Sequence, residues 1–302
     1  MLTQKILPPG FKIITPDAML HLNRSGPKTD VSVLIEAGAT CSTPYYTYLE
    51  RELAKQVQVY SYDRAGLGWS ECSKNPRDAK SIAKELCNLL EISGINEPLV
   101  LVGHSIASLY LRVFSNIFNK RIAAIILLDP SNPNQEKVLG YPTHTPEVRR
   151  VYRKTQWLAH LGLAGLINPL FTLDNPKISS LPEESKQQLS WIHKQAKTYI
   201  TSEAEIAQFE NSAKQALAVD DFGDLPLKVI TGPDRTHDGD ENLPIQRKRW
   251  MDLQTDVAGW SSCGEHTVIE EAGHMTLFTE KRHAQRVAKE ILEFCKKHGF
   301  NL

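Results

Sequence analysis

Pro98-Leu99-Val100-Leu101-Val102-Gly103-His104-Ser105-Ile106-Ala107-Ser108-Leu109 is the stretch that decides the fold. Its first five residues form a short apolar run without alternation, the pattern of a strand buried on both faces. Beyond the serine, Leu109, Val113, Phe114 and Ile117 mark the inner side of a helix. A serine pinched between strand and helix must sit on a tight, strained turn, which its small neighbours Gly103 and Ala107 allow. The hydroxyl then projects at the carboxyl end of the sheet, beside a helix N-terminus whose N–H groups stabilise negative charge. Ser105 is therefore the candidate nucleophile. The spacing is G-x-S-x-A, so Ala107 adds a methyl where helix and strand pack closely.

Further apolar runs of the same kind lie at 31–35, 57–62, 122–128, 227–230 and 267–269. Amphipathic stretches separate most of them, at 79–90 and most clearly at 281–298. There Ala284, Val287, Ala288, Ile291 and Cys295 share one face and Gly299 is a stop. Strands alternating with helices imply a mostly parallel central sheet flanked by helices. The rhythm breaks at 131–222, which holds only helical periodicity punctuated by prolines, in long stretches at 145–171 and 183–218. A segment that long is an extra layer and not a loop. The expected organisation is an α/β core from 1–130 and 223–302, with an inserted helical cap at 131–222 over the carboxyl ends of the strands, where such sheets bind ligands. Trp157, Leu158, Leu161, Leu163, Leu166 and Ile167 form an apolar stripe, read first as the packed face of a lid helix and second as a substrate channel.

Composition narrows the function. The 302 residues carry 35 Lys plus Arg against 35 Asp plus Glu, a balance with no global pull toward nucleic acid or anionic membrane. No apolar run reaches the roughly 18 residues of a membrane span. Two prolines stand where a signal peptide would need its apolar stretch. The five cysteines are scattered without a Cys-x-x-Cys pair. Reduced thiols in a cytoplasm fit better than a disulfide framework or zinc site. No phosphate-binding or dinucleotide fingerprint follows a strand, so no cofactor is expected. The partner is a small-molecule substrate, and the oligomeric state is not legible.

Three further stretches join the serine turn: Glu36-Ala37-Gly38-Ala39, Tyr62-Asp63-Arg64-Ala65-Gly66-Leu67-Gly68-Trp69-Ser70 and Glu271-Ala272-Gly273-His274. In this order and in these strand contexts, the chain resembles the α/β-hydrolase fold family over nearly its whole length. The resemblance implies that 36–39 is the oxyanion loop, with the backbone N–H groups of Ala39 and Ile106 as donors. It also makes 62–70 a signature of the fold, explained by an Asp63–Arg64 ion pair and tight turns, and His274 the base.

A serine hydroxyl needs such a base, since it is almost fully protonated at neutral pH. Among ten histidines, His274 stands near the C-terminal edge of the sheet. His104 reads as a packing residue. A carboxylate must orient the imidazole, and two compete. Asp129 ends the run 122–128 beside the nucleophile strand and resembles the family branch whose acid follows this earlier strand. Asp234, after the run 227–231, is where most of the family takes its acid, but it stands one residue short of the usual place. Asp129 is preferred and Asp234 is the alternative; Asp238 and Asp240 read as solvated. The expected activity is cleavage of a small, hydrophobic carboxylic ester through an acyl-enzyme. Alternatives on the same residues are amide or lactone hydrolysis, a perhydrolase or a cyanohydrin lyase. Another class is a ligand-binding receptor or pseudoenzyme. Dehalogenation is disfavoured because the resemblance there is to enzymes with an aspartate nucleophile.

Overall fold

The computed structural model describes residues 8–118, 121–142, 145–164, 176–233 and 243–300. Eight strands form one sheet: β1 (Phe11–Ile14), β2 (Met19–Ser25), β3 (Ser32–Glu36), β4 (Gln58–Asp63), β5 (Leu99–His104), β6 (Ile122–Leu128), β7 (Leu227–Thr231) and β8 (Gly264–Val268). The order is β1-β2-β4-β3-β5-β6-β7-β8. β1 and β2 run antiparallel, and every pairing from β4–β3 to β7–β8 is parallel.

The five apolar runs that became β3 to β7 are buried at almost every position. The antiparallel pair escaped the reading for a physical reason. Most of β1 faces solvent, and β2 carries His21, Asn23 and Arg24. An edge hairpin with a wet face has no continuous apolar run to detect. β8 starts three residues earlier than the expected 267–269, because its polar, half-buried Glu265 and His266 look nothing like core.

The helices are α1 (Thr47–Leu53), α2 (Ala79–Ile92), α3 (Ala107–Ile117), α4 (Gln135–Leu139), α5 (Pro146–His160) and α6 (Pro176–Ser179), followed by α7 (Glu183–Ile192), α8 (Ala196–Ala207), α9 (Phe209–Leu217), α10 (Leu243–Ala258), α11 (Thr276–Thr279) and α12 (Lys281–Lys297). Alternate strand residues bury on opposite faces of the sheet. Leu34, Leu101, Ile125, Leu127 and Val229 pack with α2 and α3. Val33, Ile35, Val100, Val102, Ile126 and Ile230 pack with α1 and α12. Each such side chain contributes about 1.5–3 kcal/mol by leaving water, so both faces lock the parallel strands in register. α12 buries Ala284, Val287, Ala288, Ile291 and Cys295, the expected stripe.

Between β6 and β7 lie α4 to α9, and no strand occurs there among the described residues. α5 is capped by Thr145, whose side chain accepts from the Val148 N–H at 3.4 Å, and starts with Pro146. It stops at His160, short of the expected 171, and Gly162 follows with φ 71°. Within the apolar stripe, Trp157 is 69% and Leu161 64% exposed, so these two do not pack as a lid-helix face, while Leu158 is half-buried. Leu166 and Ile167 lie outside the described residues. The stretch 183–218 is three helices, broken near His193 and Gln208.

Candidate active site

Ser105 occupies the turn between β5 and α3 with φ 55°. A left-handed serine costs roughly 1–2 kcal/mol, which the surrounding bonds offset. Its N–H donates to the Leu128 carbonyl at 3.1 Å, and its own carbonyl accepts from the Ser108 and Ser131 N–H groups at 3.1 and 3.0 Å. Among the described residues the Ser105 hydroxyl makes no hydrogen bond. Ala107 is fully buried in the first turn of α3.

Asp129 follows β6, again with a positive φ, 44°, and its N–H donates to the Ile230 carbonyl at 2.8 Å. That turn aims the carboxylate at the loop between β8 and α11. Its Oδ2 lies 2.5 Å from Nδ1 of His274, and its Oδ1 accepts from Nε1 of Trp250 at 2.9 Å. The structure thus brings Asp129 and His274 into contact, and Leu128, to which Ser105 is bonded, is the residue before Asp129. Asp234, Asp238 and Asp240 lie outside the described residues.

His104 does more than pack. Its ring lies 4.5 Å from the His274 ring, and its Nε2 is 3.1 Å from the His274 carbonyl. A carbonyl only accepts, so Nε2 carries the proton and Nδ1 accepts from the Tyr46 hydroxyl at 3.1 Å. Tyr46 in turn accepts from the Gly38 N–H at 2.8 Å. Burial, helped by the nearby His274, holds the His104 pKa well below that of an ordinary histidine, which keeps the imidazole neutral. A side chain at 38 would put its Cβ 2.3 Å from His104 Nδ1, so only glycine fits there.

The loop after β3 continues through half-buried Ala39 to Thr40, which has φ 64°. Among the described residues neither the Ala39 nor the Ile106 N–H donates to an acceptor. Ile106 directly precedes α3. The loop's carbonyls are held by Arg64. Its Nη1 donates to Glu36 Oε1 at 2.7 Å and to the Ala37 carbonyl at 2.5 Å. Its Nη2 donates to the Gly38 carbonyl at 2.8 Å. Nε and Nη2 also grip the two oxygens of Glu205 on α8, each at 2.8 Å. Burial opposes this charge, but Glu205 and Glu36 outweigh it and push the Arg64 pKa up. Burial raises the Glu36 pKa, against the pull of Arg64.

The expected Asp63–Arg64 ion pair is therefore corrected. Arg64 pairs with Glu36 and Glu205, while Asp63 faces His21 at 2.9 Å and accepts from the Thr43 and Trp69 N–H groups. Successive residues at a strand end project to opposite sides, so each finds its own partners. Sequence reasoning missed Trp250, Tyr46 and Glu205. No local signal marks a tryptophan 121 residues from its aspartate.

A mostly parallel sheet with helices on both faces and a helical stretch between β6 and β7 is the architecture of the α/β-hydrolase fold. The chain belongs to the alpha/beta hydrolase family, whose model matches residues 33–290. It is 36% identical over 115 residues to an AB hydrolase superfamily protein of Gibberella zeae, a match covering 38% of this chain and 35% of that protein. The matches span between 23% and 44% of the length of the curated relatives. Among solved structures, the Cif epoxide hydrolase from Acinetobacter nosocomialis superposes with a TM-score of 0.71 at 17% identity, covering 97% of this chain and 90% of that one. A thermophilic esterase from Thermogutta terrifontis gives 0.61 at 18% identity, covering 95% and 98%. At such identities the likeness is one of fold. No helix among the described residues is long and apolar enough to cross a membrane.

Proposed function

We propose that the chain is a serine hydrolase that cleaves a small, hydrophobic carboxylic ester through an acyl-enzyme. The observation that carries this reading is the 2.5 Å contact between Asp129 and His274 Nδ1, beside a serine on a strained strand-to-helix turn. A carboxylate on Nδ1 holds the proton there and leaves Nε2 as the basic nitrogen. His274 then takes the Ser105 proton as the hydroxyl attacks the ester carbonyl, and returns it to the leaving alcohol. Water, deprotonated by the same imidazole, releases the acid. The Ala39 and Ile106 N–H groups receive the oxyanion, each worth roughly 3–4 kcal/mol in the transition state. Both lack another acceptor among the described residues, which supports the assignment.

Residues 131–222 act as a cap over this site, and 1–130 with 223–302 form the catalytic core. Trp157 on α5 and Leu161 just beyond it, both exposed, favour a substrate with an apolar acyl or alkyl part. The five cysteines form no disulfide among the described residues, which suits a cytoplasmic location. The test is a panel of p-nitrophenyl esters of increasing chain length, run beside matched amides and lactones on the parent and on Ser105→Ala. Ester turnover abolished by Ser105→Ala is expected. Preference for amides or lactones would move the substrate class. Equal rates in parent and variant would remove Ser105 from the chemistry, and binding without turnover would mark a receptor.

A further inference from the structure

All five N–H donors of Arg64 are in use, an uncommon saturation for a guanidinium fork. Two of them hold the carbonyls of Ala37 and Gly38, in the loop assigned above to the oxyanion. The Gly38 carbonyl and the Ala39 N–H belong to one planar trans peptide unit, so they point in opposite directions. Fixing that carbonyl fixes where the N–H is aimed. The other side of Gly38 is pinned too, by its N–H on Tyr46 at 2.8 Å.

The fork itself is oriented from outside the sheet. Glu205 accepts from it in bidentate fashion, the geometry that sets direction as well as distance. Glu205 sits on one face of α8 with Thr201 and Lys197, spaced four residues apart, and all three meet the loop after β4. Lys197 Nζ donates to the Ser70 carbonyl at 2.6 Å. Thr201 approaches so closely that a Cβ at Gly66 would lie 1.9 Å from its Oγ1. Arg64, Glu36 and Glu205 are all fully buried.

We propose that Arg64, oriented by Glu205 of α8, is a positioning residue that aims the Ala39 N–H at the oxyanion, so that seating of α8 on the core switches the donor into place. This inference rests on the serine-hydrolase reading above. The segment between β6 and β7 then does more than roof the substrate: it completes the catalytic donor set.

Glu205→Gln is the variant of choice. Glu36 still balances the Arg64 charge, so no buried ion is left alone, while the bidentate grip is lost. The measurements on full-length protein are kcat and KM for p-nitrophenyl acetate, and inhibition by a trifluoromethyl ketone whose hemiketal oxyanion occupies the donor site. A fall in kcat of about tenfold or more is expected, since losing a donor outright costs about 10²–10³. KM should stay within about twofold, and the ketone should weaken in step with kcat. Should Glu205→Gln not fold, Glu205→Asp, which keeps the charge and withdraws it by one methylene, carries the same expectation. A folded variant with parental kcat and ketone affinity overturns the inference while leaving the triad assignment standing. A parent never acylated at Ser105 overturns both.

Discussion

Asp63 ends β4 and Asp129 follows β6, and each sets a carboxylate with no exposed surface against Nδ1 of a histidine. Taken as pairs of residue types they are the same. Their surroundings differ. His21 is 1% exposed, and its second ring nitrogen is consumed by the Pro9 carbonyl. His274 is 36% exposed at its side chain, and its ring adjoins the serine turn through His104. Burial pushes His21 toward the neutral form, but Asp63 and the Pro9 carbonyl outweigh it and raise its pKa, favouring the protonated ring that donates to both. On the proposed mechanism, an Asp–His contact does chemistry only where the far nitrogen remains open and a nucleophile stands beside it. The His21 pair is a clasp between the edge hairpin and the sheet.

The largest effect that separates the two pairs comes from the isosteric acids. Asp129→Asn should lower kcat by roughly 10³–10⁴, by analogy with serine triads, and leave stability little changed. Asp63→Asn should do the reverse. Breaking a fully buried pair that also caps two backbone N–H groups should cost about 3 kcal/mol of unfolding free energy, with kcat within about tenfold. Steady-state kinetics and urea unfolding on both variants decide it. Matching losses of activity would erase the distinction.

A smaller effect sharpens the comparison through pH. His21 has a raised folded pKa, so its contribution to stability is complete below the unfolded value near 6.5 and is lost as pH rises through the folded value. The stability gap between parent and His21→Gln should narrow from pH 6 to pH 9. A gap that widens with pH would place His21 among neutral core histidines.

How much of this was legible in the sequence follows from range. The serine turn was readable because a buried strand, a glycine and a helix are consecutive. β3 to β7 were readable because each is buried on both faces. The preference for Asp129 rested on its strand lying beside the nucleophile strand, and the structure sets it against His274. The edge pair β1–β2, α10 and the first three residues of half-exposed β8 lacked the continuous or one-faced apolar signal such reading needs. Arg64 was visible as part of a motif, yet its partner was guessed as its chain neighbour Asp63. Its real second carboxylate is 141 residues away, on a helix whose facing no local pattern reveals.

The most direct test of the central claim is rapid quenching of the parent during turnover of p-nitrophenyl acetate, followed by peptide mass spectrometry. An acetyl group on Ser105, formed before steady state and absent from Ser105→Ala, is the predicted result. Turnover with no covalent adduct, or an adduct that maps to another residue, would contradict it.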